Sequence, residues 1–494
     1  MKLVELPEKP IELRNLIAGE WRDSVSGDRL DVLSPYTGGV IGRVPLSNAD
    51  DVAPAVAAAK EAADKWSLVP IKERTQTLFR FRELVLQHID RLSHAAAAEA
   101  GKTVAEAKAG VLKGVEIIEY ALSLQNMDQG GILEVSRGVT CETRREPLGV
   151  VAGITPFNFP AMVPMWQYPI AITLGNAFIL KPSEKVPITA QLSGELMMEA
   201  GFPRGVFSII HGARAAVEAI SDHPDVQAVG FVGSTKVARA VYERTTSGDR
   251  RALCLGGAKN HLIVVPDADP EVTVDGVVSS FIGCAGQRCM AAALMVAVGD
   301  VDHLIDAIVE HAAKVRVGPD MGAIIDAQSL VRLEADIQQA ADDGARIRLD
   351  GRNPEPPAPE YAGGNWLAPT IIDDAKMSME CTTKELFGPV VTIVRVRTLD
   401  EALALQSTTP YGNAASVFTT RGDVARYVAE RAPTGMIGVN IGVPVPREPF
   451  SFGGAKASRF GQGDMTGAGG VELWSRVKKI TTKWALQPDA NWMS

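Results

Sequence analysis

The sequence predicts an α/β protein with two open parallel sheets, helices on their faces and a small β extension. Three observations predict it. First, brief Val/Ile/Leu/Phe runs end in Gly, Pro, Ser or Asp: GVVAGITPFN from Gly149, AFILKPS from Ala177, VFSIIHG from Val206, AVGFVGS from Ala228 and HLIVVPDA from His261. Second, helical stretches separate several of these runs, which is the βα alternation of a buried parallel sheet with ligand loops at its strand ends. A second βα series starts near Asn260 and runs to about Val439, interrupted by the Pro-rich loop GRNPEPPAPEYAGGNW. Third, Leu133–Glu146 and Val477–Trp484 alternate apolar and polar residues like exposed strands.

Taken in order, the first fifty residues place short apolar runs between turn signals (NLIAGEW, SPYTGGVIGRVP), which reads as small strands or a hairpin. Ser47–Trp66 is helical, with Ser47 and Asp50 in capping-box spacing and Val52, Val56, Ala59 and Ala63 on one face. Ile71 to about Leu124 reads as several amphipathic helices. From Pro147 to Leu180 there is no charged residue, a span long enough to cross a bilayer. Pro156, Pro160, Pro164 and Pro169 interrupt it, however, and each proline removes a backbone hydrogen bond that lipid could not replace. The segment is therefore expected to be a buried core. At roughly 150 residues per domain, 494 residues should hold two to four structural units.

Composition excludes several function classes. Lys plus Arg is 50 against 59 for Asp plus Glu, a net charge of −9. No stretch concentrates basic residues as a nucleic-acid footprint would. The five cysteines are odd in number and lack a CxxC pair, so free thiols in a reducing compartment are expected. The N-terminus has no apolar signal region, which makes the cytoplasm the expected location. Seven histidines show no metal-ligand spacing, and no metal is expected.

Gly101-Lys102-Thr103 resembles the end of a phosphate loop, but Ala96 stands where the loop needs a glycine, and a helix C-terminal glycine explains it better. Cys289, in FIGCAGQRCMAAA, lies among small residues that a substrate could approach, with Arg288 adjacent. A nearby cation raises thiolate content. The local sequence alone leaves open whether Cys289 is a nucleophile or a buried structural thiol; Cys284 is read as structural. Asn158, in ITPFNFP, could donate to a developing oxyanion or simply occupy a turn. Lys181 and Glu184 follow a strand directly and suit ribose hydroxyls as well as plain exposure. Gly233-Ser234-Thr235, between a strand and a helix, can present backbone N–H groups to a pyrophosphate.

Together these segments resemble the aldehyde dehydrogenase superfamily almost end to end: IAGEW, SPYTGGVIGRVP, ITPFNFP, LKPSE, FVGST, GQRC and ELFGPV stand in that family's order. The resemblance implies an aldehyde-dehydrogenase-like fold of two Rossmann-type open parallel sheets plus a small β oligomerisation extension. Residues 1–126 and 148–255 would form the NAD-binding domain, 256–440 the catalytic domain, and 127–147 with 476–490 the oligomerisation extension of a homodimer or dimer of dimers. By the same resemblance Cys289 is the nucleophile and Asn158 its oxyanion partner. Thr155, Phe157, Lys181, Glu184, Lys185, Gly233, Ser234 and Gly256 would line the NAD site, and Glu385 would hold the nicotinamide ribose. Ala238 departs from a glycine common in the family.

A further departure indicates a branch. Where most members have ELGGK, whose glutamate activates the hydrolytic water, this chain has Cys254-Leu-Gly-Gly-Ala-Lys-Asn260-His261. GGAKNH, FNFPAMVPMW and GQRCMA look like the CoA-acylating methylmalonate-semialdehyde dehydrogenase branch. A thioester without a general base hydrolyses slowly and can await a CoA thiol. That branch uses an arginine on the substrate carboxylate where this chain has Lys113, which keeps the charge but loses the bidentate fork; Arg288 is the other candidate clamp. The resemblance thus implies NAD-dependent oxidation of methylmalonate or malonate semialdehyde, with transfer of the acyl group to CoA. The alternative is a hydrolytic, NAD-dependent enzyme releasing a free acid from a different aldehyde. Intact Cys289, Asn158 and Glu385 argue against a non-catalytic protein.

Overall fold

In the computed structural model, which describes residues 2–127 and 130–484, the two βα series become two separate sheets. The first has eight strands in the order Arg459–Phe460, Arg251–Leu255, Val226–Val232, Val150–Ile154, Ala177–Lys181, Phe207–Ile209, Asn15–Ile17 and Glu20–Arg22. Its five central strands are parallel, and all of Val150–Ile154 and Ala177–Lys181 is buried, which is why they read as unbroken apolar runs. The second sheet has seven strands: Arg346–Leu349, Thr370–Asp373, Val390–Val396, Ala292–Val298, Asn260–Val264, Ala414–Phe418 and Met436–Val439.

Both parallel sheets carry antiparallel strands at their edges. Arg459–Phe460, Asn15–Ile17 and Glu20–Arg22 join the first sheet antiparallel, and Arg346–Leu349 joins the second so. The reason is local for IAGEW. Ala18 and Gly19 both adopt positive φ (54° and 73°), the two-residue turn whose twist matches a hairpin.

The first long helix, Ala49–Trp66, starts one residue later than expected. Asn48 rather than Ser47 is its N-cap, and Asp51 rather than Asp50 closes the box. Tertiary contacts select this register: Asp51 also accepts from Ser24 Oγ at 2.7 Å and Val25 N–H at 3.0 Å, while Ser47 accepts from Asn15 Nδ2 at 2.8 Å. Three helices follow, Ile71–Gln87, Ile89–Ala100 and Val104–Ser123. Gly101 ends the second of these in the left-handed region (φ 72°), and a Cβ there would lie 2.6 Å from the Ala323 carbonyl oxygen.

The uncharged span folds as strand, two short helices (Met162–Met165, Tyr168–Thr173) and strand, with Trp166, Tyr168 and Phe178 fully buried. Among the described residues no helix is long and apolar enough to cross a membrane. Ser475–Lys483 pairs antiparallel with Val139–Pro147, which pairs with Gly130–Ser136, in a three-stranded sheet apart from the other two. Of the expected extension, 128–129 and 485–490 lie outside the described residues.

Candidate active site

The C-terminal ends of the parallel strands in the first sheet open into a cleft of ≈ 820 Å³ whose far end is closed by the second sheet's loops. Thr155, Phe157, Asn158, Lys181, Glu184, Lys185, Gly233, Ser234, Gly256, Cys289 and Glu385 all line it. Lys113 and Arg288 do not.

At the outer end, Lys181 closes its strand and meets Glu184 at 3.2 Å. Burial pulls the Glu184 carboxyl upward, but the charges of Lys181 and Lys185 and the hydrogen bonds to it together hold it below the ordinary value. Lys185 is drawn away to Asp326, the N-cap of helix Ala327–Asp342, and its ammonium lies 5.6 Å from the centre of the Phe157 ring. Ser234 is the N-cap of helix Thr235–Thr246 and makes no side-chain cap bond. Ser234, Lys236 and Val237 bring that helix start to the cleft lining, where a helix N-terminus favours an anion.

The inner end is built from backbone contacts. Cys284, Ala285 and Gly286 all have positive φ (53°, 52° and 67°), a left-handed turn that leads directly into Gln287-Arg288-Cys289. A Cβ on Gly286 would lie 1.9 Å from the Gly388 carbonyl oxygen, so only glycine lets this turn reach the Glu385–Gly388 segment. Asn158 Nδ2 donates to the Gln287 carbonyl at 2.9 Å, placing its amide beside the thiol's own turn. The Cys289 carbonyl accepts from Asn260 Nδ2 and Asn413 Nδ2, both at 2.8 Å. Opposite, Glu385 accepts from the Ala258 N–H at 2.9 Å, and a Cβ on Gly257 would stand 2.3 Å from Glu385 Oε2. Burial raises the Glu385 carboxyl to about 7 against the pull of the Ala258 N–H and Lys259.

Three expectations need correction. The Cys289 thiol is pushed up to about 12, first by burial and then by Glu385, and Arg288 and Lys102 oppose this only in part. Arg288 does pull the thiol downward, but burial outweighs it; its guanidinium lies 3.5 Å from Glu106, which also accepts the Cys284 N–H at 2.6 Å. Lys113 is likewise already paired, with Glu116 at 2.8 Å and Glu448 at 3.4 Å. Cys254, finally, does not occupy the place of a water-activating glutamate. Its side chain packs in the core with Val229, Phe231 and Ala238, burial raises its thiol, and Gly256 and Gly257 are what this strand presents to the cleft. Ala238, fully buried in that same cluster, is accommodated without a glycine.

The arrangement can hold a nucleotide along the first sheet and bring a carbonyl to a buried thiol between an amide donor and a carboxyl. The aldehyde dehydrogenase family model matches residues 21–480. The chain belongs to the aldehyde dehydrogenase family. It is 41% identical over 485 residues to malonate-semialdehyde dehydrogenase 1 of Geobacillus kaustophilus, covering 97% of this chain and 99% of the relative. It is 40% identical over 485 residues to the mitochondrial acylating methylmalonate-semialdehyde dehydrogenase of Arabidopsis thaliana, covering 97% and 80%. Among solved structures, the methylmalonate-semialdehyde dehydrogenase of Oceanimonas doudoroffii superposes with a TM-score of 0.94 at 37% identity, covering 96% and 99%. A Sinorhizobium meliloti 1021 structure solved with NAD superposes at 0.95 and 37% identity, covering 98% and 100%.

Within this aldehyde dehydrogenase, several contributors were not singled out from the sequence. Asn260 lies inside the GGAKNH motif, and its role as a clamp on the Cys289 carbonyl was available there. Asn413 has no local signal, being 124 residues from the carbonyl it holds. Lys102, set aside with the false phosphate loop, is buried with its ammonium 3.3 Å over the Phe159 ring. Phe387 reaches the Phe157 ring edge-on at 5.8 Å from a positive-φ conformation.

Proposed function

We propose that this aldehyde dehydrogenase oxidises a short semialdehyde, malonate or methylmalonate semialdehyde, through a thioester on Cys289 and passes the acyl group to CoA. The observation that carries the reading is the bare strand end, Gly256-Gly257, which offers the cleft no side-chain base of its own. Without a base from that strand, water is poorly activated and the thioester persists until a thiol arrives. The names of the malonate- and methylmalonate-semialdehyde relatives support the substrate class.

NAD suits the cleft. Glu184 and Lys181 would take the adenosine ribose, the start of helix Thr235–Thr246 the pyrophosphate, and Glu385 the nicotinamide ribose. When bound, NAD supplies the two-electron acceptor. The chain's own residues do the rest. Cys289 must lose its proton on ligand binding, since burial keeps the resting thiol neutral. Its sulfur then attacks the aldehyde carbon while the Asn158 amide donates to the oxygen that gains charge. After oxidation, the thiol of CoA takes the acyl group and Cys289 regains its proton. Loss of the substrate carboxylate as CO2, with a proton taken up at the carbon it leaves, would leave acetyl-CoA or propionyl-CoA.

Glu385 favours a second reading. A carboxyl raised to about 7 beside the thiol is a competent base for water, and that would make the enzyme hydrolytic. One assay separates the two: NADH formation from malonate semialdehyde with and without CoA, with the acyl product identified by mass spectrometry. CoA-stimulated turnover yielding acetyl-CoA is expected, and CoA-independent release of free acid alone would establish the hydrolytic enzyme.

The residue roles imply a nucleotide-binding domain on the first sheet (1–126, 148–255) and a catalytic domain on the second (256–440). The strand Gly130–Ser136 exposes Ile132, Leu133 and Val135, which supports its burial in a homo-oligomer. Five free thiols suit a cytoplasmic location.

A further inference from the structure

Three neighbouring strands of the second sheet, Ala292–Val298, Asn260–Val264 and Ala414–Phe418, run parallel and begin at one level. Asn260 stands opposite Ala292, and His261 opposite Ala415. Cys289 lies just ahead of the first of these strands, so the thiol's turn is attached to the edge where all three start. Two buried asparagines occupy that edge, Asn260 on the middle strand and Asn413 just ahead of the third. The Cys289 carbonyl accepts from both, at 2.8 Å each, which uses both of its lone pairs. Asn260 Nδ2 also donates to the Ala291 carbonyl at 2.9 Å, and Asn260 Oδ1 accepts the Ala414 N–H at 3.1 Å. Asn413 Nδ2 reaches Met290 Sδ at 3.1 Å as well. The bonds close a ring that runs from the Cys289 carbonyl through Asn260 to Ala414, and back through the Asn413 side chain.

A peptide unit is planar, so two donors on its carbonyl fix the plane between Cys289 and Met290, and with it the point from which the thiol extends. On the other side of the turn Asn158 Nδ2 holds the Gln287 carbonyl at 2.9 Å. The Gln287, Cys289 and Ala291 carbonyls are thus each taken by a side-chain amide and none by an ion. The charges that act on the thiol, those of Glu385, Arg288 and Lys102, are not among the groups that hold these carbonyls. A lysine or arginine in either asparagine's place would lower the thiol's affinity for its proton, and an aspartate would raise it. An amide fixes the backbone and leaves that affinity to burial and to the three charged groups.

We propose that Asn413, together with Asn260, is a positioning residue for acylation: the two amides hold the Cys289 peptide so that its sulfur is aligned with an aldehyde whose oxygen lies on the Asn158 amide. The inference rests on the reading of Cys289 as the nucleophile. It goes further by assigning the alignment to an uncharged clamp rather than to the ions around the thiol.

Asn413 is the better of the two to alter, because the Asn260 side chain also ties two strands together. Asn413→Leu keeps the approximate volume and removes both donors. The rate of the first NADH turnover at saturating NAD, followed with malonate semialdehyde and with propanal, should fall roughly 10²-fold for whichever aldehyde the native enzyme oxidises. NAD affinity, from fluorescence quenching, should stay within about twofold, since the clamp touches no part of the nucleotide end. Alkylation of Cys289 by iodoacetamide without NAD needs a thiolate and access but no alignment with Asn158, so it should fall far less than turnover, if at all. In an Asn158→Ala background the Asn413→Leu penalty should shrink to below about tenfold, because the amide with which the sulfur is aligned is gone. Should Asn413→Leu not fold, Asn413→Ser, too short to reach the carbonyl, carries the same expectations.

Four results overturn the inference: an unchanged first turnover, a fall in alkylation in step with turnover, an equal loss of NAD affinity, or a full penalty that persists without Asn158. If Cys289→Ala still forms NADH, the nucleophile reading is lost and the inference with it. If Cys289→Ala is inactive and Asn413→Leu is not slowed, the inference alone is lost.

Discussion

The two ends of the cleft are built on opposite electrostatic terms. At the nucleotide end the carboxylates find partners, Glu184 with Lys181 and Asp326 with Lys185, and both stay below their ordinary values, although burial draws the enclosed Lys181 ammonium down. At the thiol end, burial outweighs every partner, so Cys289 rises to about 12 and Glu385 to about 7. One end is charged and ready to recognise a ligand. At the other, the Cys289 thiol rests protonated. A buried thiol that stays protonated is protected from adventitious oxidation and alkylation, since the thiolate is the reactive form.

Substitutions at the thiol end should therefore have the largest effects. Cys289→Ala should lower NADH production by at least about 10⁴-fold, because nothing else in the cleft can form the thioester; retention of activity would remove Cys289 as nucleophile. Asn158→Ala should lower kcat by roughly 10²–10³-fold, the usual cost of one oxyanion donor. Its NAD affinity, measured by fluorescence quenching, should barely change, and a matching loss of NAD binding would show that Asn158 only supports the fold.

At the nucleotide end the effects are smaller. Glu184 would accept from a ribose 2′-hydroxyl and repel a 2′-phosphate, so Glu184→Gln should narrow the NAD over NADP preference by about tenfold. Lys185 cannot readily compensate because Asp326 holds it. Equal efficiency of the unaltered enzyme with both cofactors would remove Glu184 as the discriminator.

The smallest expected effect is on stability. Glu385 has a folded value near 7 against an ordinary 4.5, so the native state binds more protons than the unfolded chain between those values. Its contribution to stability is fully present below about 4.5 and lost as the pH rises through about 7. Glu385→Gln, which has no proton to lose, should therefore gain in Tm relative to the unaltered protein as the pH is raised from 5 to 7.5. Part of the decline should remain, since Glu99, buried at the start of helix Ile188–Glu199, is also raised to about 7. A Tm difference independent of pH would mean that Glu385 ionises normally in the folded protein.

The order of the strands along the chain, the helices between them and the residues at each strand end were legible in the sequence, because these follow from local periodicity and turn chemistry. Val150–Ile154 and Ala177–Lys181 are buried on both faces and so spell continuous apolar runs; Gly101 marks a helix end because only a positive φ stops the helix there. The cleft-lining residues from Thr155 to Gly256 were likewise legible, as each closes or follows a strand, whereas Cys289 follows a turn after helix Pro270–Ile282 and Glu385 follows the short helix Glu380–Thr383, so their roles came from the family resemblance. Tertiary structure alone decided the electrostatic state of those residues. Arg288 is adjacent to Cys289 in sequence yet is committed to Glu106, and Lys113 is committed to Glu448, 335 residues away. Cys254 and Gly256 differ by two positions, yet one faces the core and the other the cleft. Side-chain charge is a property of the residue, but its pKa and its partners depend on burial and on segments brought together from distant parts of the chain, and no local pattern encodes either.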